Sequence, residues 1–238
     1  MTGAMDLHVI DLGQRPYADA YQEQLRHHEK VLASRDSATP RGDLLLVEHP
    51  PVITISRRAA AKDHLLATPE FLASRGISVC ETDRGGDITY HGPGQLVVYP
   101  ILDLNHFKLG IHAYMRLLEE SVIRTLGAYG LAGVRDAAAT GVWVETDGHL
   151  AKIAAMGVRV RRWVAMHGLA LNVAPDMQHY QYIVPCGLAG RPVTSMRERL
   201  VAAAPPMTHV KKTLVDALST LLREAETHAA MARADATA

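Results

Sequence analysis

Residues 7–12 alternate loosely between apolar and polar positions, the period of a strand. Pro16 then opens a helical stretch whose apolar positions Tyr21, Leu25 and Val31 carry it to about residue 32. Two short apolar runs, 44–47 and 52–55, read as strands on either side of Pro50 and Pro51. Thr68 and Pro69 supply a cap and a first turn for a short helix through Phe71 and Leu72, which Gly76 closes. The stretch 85–94 is rich in glycine and reads as a loop. The apolar run 96–102 after it has strand length, with Pro100 as the point where it bends or ends.

Residues 111, 114, 115, 118, 122 and 126 are apolar at helical spacing, with Gly130 beyond them as a C-terminal stop. A cluster of strand signals follows: 141–145, a turn at Asp147 and Gly148, then 152–160 and 163–173. Val210, Leu214, Leu218 and Leu222 mark one face of a last helix, predicted over about 208–226 with Thr208 as its cap; the alanine-rich remainder is expected to fray. Interleaved strand and helix signals, with no linker and no repeat, predict one α/β domain over residues 1–238.

Composition narrows the class. Lys plus Arg and Asp plus Glu both number 25, so no global charge excess points to nucleic acid or a membrane surface. The first residues carry Asp6, His8 and Asp11 and lack the basic and apolar regions of a signal peptide, and no apolar stretch approaches the roughly 20 residues that span a bilayer. A cytoplasmic location is expected, where the two cysteines stay reduced. With no cysteine pair at ligand spacing, no metal site is expected.

Cys186 stands between Pro185, which restricts the backbone, and Gly187, which permits a sharp turn. A free cysteine is commonly a small buried hydrophobe, and Cys80, in a short apolar run, is assigned to the core on that ground; for Cys186 the core filler and the nucleophile both stay open. Four glycines within residues 84–95, with Arg84, Asp87, Tyr90 and His91 among them, let backbone approach a ligand, or form a pair of ordinary turns. Lys152 starts a run of small residues; with period two it shares a face with Ala154 and Met156. There it reaches solvent, or sits near Cys186 and favours its thiolate. His167 and Asn172 invite comparison with a Cys-His-Asn arrangement, although proximity in sequence proves no contact. Arg159, Arg161 and Arg162 read as a solvated strand edge, and Lys211 and Lys212 as a solvent face.

Taken together, 84–95, 152–157, 167–173 and the Pro185-Cys186-Gly187 turn resemble the lipoyl(octanoyl) transferases of protein lipoylation, over most of the chain. The resemblance implies a mixed sheet with flanking helices, similar to the biotin and lipoate protein ligases. It implies movement of an octanoyl group from octanoyl-acyl carrier protein to a lysine of lipoyl domains, those of 2-oxoacid dehydrogenase complexes and of the glycine cleavage H protein. It assigns Cys186 as the acylated nucleophile and Lys152 as its partner. Arg84, Gly85, Gly86, Asp87, Ile88, Thr89, Tyr90, His91, Ala155, Met156, Gly157, Gly168, Leu169 and Ala170 are assigned to the acyl pocket. No cofactor is implied. The competing readings are an ATP-dependent lipoate or biotin ligase, which would not need Cys186, and a non-catalytic module that binds acyl carrier protein.

Overall fold

The computed structural model describes residues 4–185, 190–200 and 204–234. Strand β1 (Asp6–Gln14) leads into α1 (Tyr17–Ala33), then β2 (Arg41–Glu48) and β3 (Val52–Ser56). A 3-10 turn (Ala59–His64) and α2 (Pro69–Ser74) precede β4 (Ser78–Thr82), β5 (Ile88–His91) and β6 (Gln95–Ile101). Then come α3 (Ile111–Gly127), β7 (Gly133–Arg135), β8 (Val142–Thr146), β9 (His149–Arg161) and β10 (Val164–Asn172). A second 3-10 turn (Met177–Tyr182), α4 (Met196–Arg199) and α5 (Met207–Ala234) complete the order. Seven strands form one sheet in the order β1-β2-β6-β10-β9-β8-β7, and three form a second in the order β4-β3-β5. Both are mixed, since β1 runs parallel to β2 and β4 parallel to β3 while the other pairs are antiparallel.

The larger sheet is covered on both faces, which is why its central strands read as continuous apolar runs. Alternate residues of β2 and β6, Leu44, Leu46, Leu96 and Val98, pack with Leu118, Val122, Leu214 and Leu218 of α3 and α5. Their neighbours Leu45, Val47, Val97 and Tyr99 face Ala20 and Val31 of α1. The smaller sheet has a core of its own around Ile53, Leu72, Ile88 and Tyr90.

Several expectations change in detail. β6 continues through Pro100, because its ladder with β10 ends at Val98 and only β2 pairs beyond it. The proline ring fits against Gly168, where a Cβ would lie 2.6 Å from its Cδ. The glycine-rich stretch contains strand β5. Thr208 lies inside α5, which starts at Met207 after Pro206 and runs to Ala234. The tail is held by Ala229, 4% exposed, and by Glu226, which bonds the Met5 amide at 2.8 Å and His106 at 2.6 Å. Lys211 is tied to Asp11 at 2.9 Å, so this lysine joins α5 to β1. Cys80 is half-buried on the exposed edge strand β4, not in the core. Between β9 and β10 the turn residues Arg162 and Trp163 both have left-handed φ, 53° and 65°, without a glycine; Leu104 N–H fixes the turn by bonding Trp163 O at 2.9 Å.

Candidate active site

A cavity that, together with its solvent-open mouth, holds about 470 Å³ of space free of protein atoms lies between the α1-facing side of the larger sheet and the smaller sheet. Its walls include Arg84, Gly86, Asp87, Ile88, Thr89 and His91 from the glycine-rich stretch, Ala155, Met156 and Gly157 from β9, and Gly168, Leu169 and Ala170 from β10. Three separated sequence motifs therefore meet at one space. Gly85 lines a wider groove next door with Lys152, Arg58 and Met115, and Gly86, Asp87, Met156 and Gly157 border both. The partition is backbone: Gly85 N–H bonds Val158 O at 2.9 Å, and a Cβ on Gly157 would come 2.6 Å from Gly85 O. Glycine is required there by close approach. Tyr90 is the residue of this stretch that lines neither space. Its hydroxyl meets His179 Nδ1 at 2.7 Å and its ring packs on Tyr180.

Arg84 holds the glycine turn in place, donating from Nη2 to Thr54 O at 2.8 Å and to Thr54 Oγ1 at 2.9 Å. Asp87 accepts from the Ile88 amide and meets His64 Nδ1, both at 2.7 Å. Burial sets the protonation of the cavity's inner end. His91, 6% exposed, is pushed down to about 3 by desolvation and by the neighbouring His49, and its Nδ1 lies 2.7 Å from Gln95 Oε1. His49 is pushed down to about 4 by burial, with Tyr99 Oη at 2.7 Å from its Nε2. Burial also pushes the Tyr17 phenol up to about 12. This end is polar in composition but uncharged at neutral pH. Tyr17, His49 and Tyr99 come from α1, the end of β2 and β6; no local motif marks them in the sequence.

His167 has a left-handed φ of 56°, and its amide donates to Gln24 Oε1 at 2.7 Å instead of to a strand. In this conformation its ring meets Asp83, whose Oδ1 lies 2.9 Å from Nε2. The His167 hydrogen bond, the Tyr21 hydroxyl and Arg159 hold the Asp83 carboxyl well below the usual carboxylate range. Arg159 is thus ion-paired with Asp83 and is not a free solvated charge. Asn172 serves a separate network: it accepts from Gln95 Nε2 at 2.9 Å and donates to Thr194 O at 3.0 Å. His167 and Asn172 form no pair, which removes the support for a Cys-His-Asn arrangement.

Lys152 is 5% exposed and does not reach freely into solvent. Strict alternation along β9 fails at this point, because the register with β8 shifts between Val142 and Trp143: Trp143 opposes Lys152, Val142 opposes Ala154, and Ile153 is the extra residue. The ammonium lies 4.8 Å from the centroid of the Trp143 ring, and the Arg191 guanidinium lies 4.0 Å from the same ring. Such a contact stabilises a desolvated cation by about 2 kcal/mol. Arg191 is ion-paired with Asp136 and lowers the carboxyl's pKa. The lysine stem depends on Gly141, where a Cβ would lie 3.1 Å from Lys152 Cε. Trp143 was within reach of the sequence: counting outward equally from the turn at Asp147 and Gly148 sets it opposite Lys152.

Cys186 lies outside the described residues. Its flanks are described. Val184 N–H bonds His64 O at 2.8 Å, and Pro185 lines a small cavity with Lys152, Thr89, Ala155, Asn172 and Tyr180. On the far side, Lys152 N–H bonds Pro192 O and Thr194 N–H bonds Lys152 O, both at 2.9 Å. Both ends of the segment that carries Cys186 therefore come to Lys152.

The chain matches the lipoyl protein ligase A/B catalytic domain over residues 20–219. It belongs to that family. It is 51% identical over 185 residues to an octanoyltransferase of Solibacter usitatus (78% of this chain, 80% of the relative). It is 47% identical over 214 residues to an octanoyltransferase of Chloroflexus aggregans (89% and 93%). Among solved structures it resembles a lipoate-protein ligase A bound with ATP, with a TM-score of 0.67 at 15% identity over 97% of this chain and 93% of that one. A biotin protein ligase of Aquifex aeolicus gives 0.53 at 12% identity over 92% and 72%. These two likenesses show the α/β ligase fold. Among the described residues no helix is long and apolar enough to cross a membrane.

Proposed function

We propose that this chain is an octanoyltransferase of protein lipoylation, taking the octanoyl group from octanoyl-acyl carrier protein and passing it to a lysine of a lipoyl domain through a thioester on Cys186. The observation that carries this reading is the cavity between the sheets, walled by three motifs of the family and adjoined by the small space that Lys152 shares with Pro185. Its mostly small or apolar lining suits a hydrocarbon chain, bound at roughly 0.8 kcal/mol per buried CH₂.

In the first half-reaction the Cys186 thiolate attacks the thioester carbonyl. A carbon–sulfur bond forms to Cys186 as the bond to the carrier's sulfur breaks, and the carrier leaves as a thiol by taking the proton of the Lys152 ammonium, which is left as the neutral amine. In the second, the acceptor amine attacks the acyl-enzyme, an amide bond forms, the Cys186 sulfur departs and Lys152 accepts the proton that the amine loses. Thioester exchange is near balance and aminolysis to an amide runs downhill, so no ATP, metal or other cofactor is needed. The wide groove with Arg58, Met115 and Lys152 gives the carrier's arm and then the acceptor lysine a route to the same carbonyl.

Incubation with octanoyl-acyl carrier protein without ATP, followed by intact mass and hydroxylamine treatment, tests this reading. A thiol-linked octanoyl adduct, absent in Cys186→Ala, is expected. Transfer that requires ATP and survives Cys186→Ala would establish the ligase alternative, and binding of the acyl carrier without transfer would establish the binding module.

A further inference from the structure

We propose that Trp143 and Arg191 are positioning residues for Lys152: the indole is the seat on which the ammonium rests, and Arg191, fixed by Asp136, holds that seat in place. The inference rests on the transferase reading for its consequence, but its geometry is independent of it. Trp143 is fully buried and is the cross-strand partner of Lys152, so the two side chains leave the sheet on the same face. One ring has two cations within 4.8 Å of its centroid, an arrangement that needs a compensating anion. Asp136 supplies it by pairing with Arg191.

The seat is braced around its edge. Trp143 Nε1–H donates to Ala139 O at 3.2 Å, and Asp136 accepts from the Ala138 amide at 2.7 Å, so the 136–139 segment holds both the ring and the anion. Gly141 N–H donates to the buried Glu119 at 3.1 Å, which sets the backbone against which the lysine stem lies. Lys152 also lines the small cavity of Thr89, Ala155 and Pro185, next to the segment that carries Cys186. A lysine placed in this way loses little freedom when it meets the reacting groups.

The test uses the full chain in a Trp163→Phe background, which leaves Trp143 as the single tryptophan; Trp163 is half exposed on the β9–β10 turn, away from this cluster. Arg191→Ala should lower kcat for octanoyl transfer roughly tenfold with KM for the carrier changed less than twofold, and Arg191→Lys should recover part of the loss. The emission of Trp143 should move to longer wavelength in Arg191→Ala as water reaches the ring. Trp143→Phe keeps a smaller seat and should fall between the wild type and Arg191→Ala. An unchanged kcat in Arg191→Ala, or a raised KM with kcat intact, would overturn the positioning role; an unchanged emission would overturn the contact itself. If the parent chain transferred no octanoyl group, the transferase reading would fall, and the emission result would still decide whether Arg191 holds the ring.

Discussion

The cavity between the sheets and the Lys152 corner share Thr89 and Ala155 on their walls, yet they are put together in opposite ways. The cavity exists because side chains are missing: Gly157 meets Gly85 backbone to backbone, and Gly168 yields to Val98 and Pro100. The corner exists because large side chains are present, with Trp143, Lys152 and Arg191 gathered on one ring. One region gains its shape from close approach and keeps the buried His49 and His91 neutral. The other assembles charges and balances them with Asp136. Under the proposed function, binding and chemistry should therefore be separable by substitution, although the two spaces adjoin.

The largest separation should come from Lys152→Ala, which is expected to lower kcat by about 10³-fold with little change in KM, the signature of an interaction made in the transition state. The alkylation rate of Cys186 should fall more at neutral than at alkaline pH in that variant; an unchanged pH profile would remove Lys152 from the thiol's activation.

Acid should strike the cavity before the corner. His49 and His91 are held neutral by burial at about 4 and about 3, below the value near 6.5 of an unfolded chain. Between those limits the unfolded state binds more protons, so their stabilisation is complete above about pH 6.5 and is lost as the pH falls toward 4 and then 3. A loss on the order of 3 kcal/mol per histidine is expected from denaturant titrations across that window. His49→Asn should flatten the curve, and an equally steep curve in that variant would contradict the assignment.

Gly157→Ala should damage the cavity and its partition from the groove more than the Lys152 corner. The added methyl meets backbone, so a destabilisation of about 2 kcal/mol is expected, with KM rising more than kcat falls. Equal loss of kcat would show that the partition also shapes the corner. The smallest effect should be that of Cys80→Ser, within about 0.5 kcal/mol in stability and with unaltered octanoyl uptake, because Cys80 lies half-buried on an edge strand.

The sequence carried the elements well where periodicity and caps agreed, as in α1, α3 and α2 with Thr68 accepting from the Phe71 amide at 3.3 Å. It failed where tertiary contacts overrode a local rule. Pro100 sits in a strand because the neighbouring ladder has already stopped, and α5 outlasts its apolar face because Glu226 and Ala229 find partners. Within the site, small-residue density is visible in one dimension at 84–95 and 152–157, but only the family resemblance joined 168–170 to them; the structure brings all three segments to one cavity. Tyr17 and Tyr99 were not marked as site residues because a wall contributed by a helix start and one strand position has no spacing of its own; His49, just past β2, reaches the site only through its bond to Tyr99. Lys152 was marked, but its direction was not, because one bulged residue at Ile153 breaks the alternation on which orientation was inferred.

The strand order β1-β2-β6-β10-β9-β8-β7 also governs when the site comes into being. The cavity takes walls from α1, from 84–91, and from β9 and β10, and Lys152 is clamped by Pro192 and Thr194 beyond them. The lining runs from Tyr17 to Ala170, so no contiguous third of the chain contains all of it. Closure of such distant segments is slow in a folding chain, because loop entropy is spent before the contacts form. A nascent or refolding chain is therefore expected to complete this cavity only once β10 has docked, so octanoyl transfer should be a late reporter of the native state.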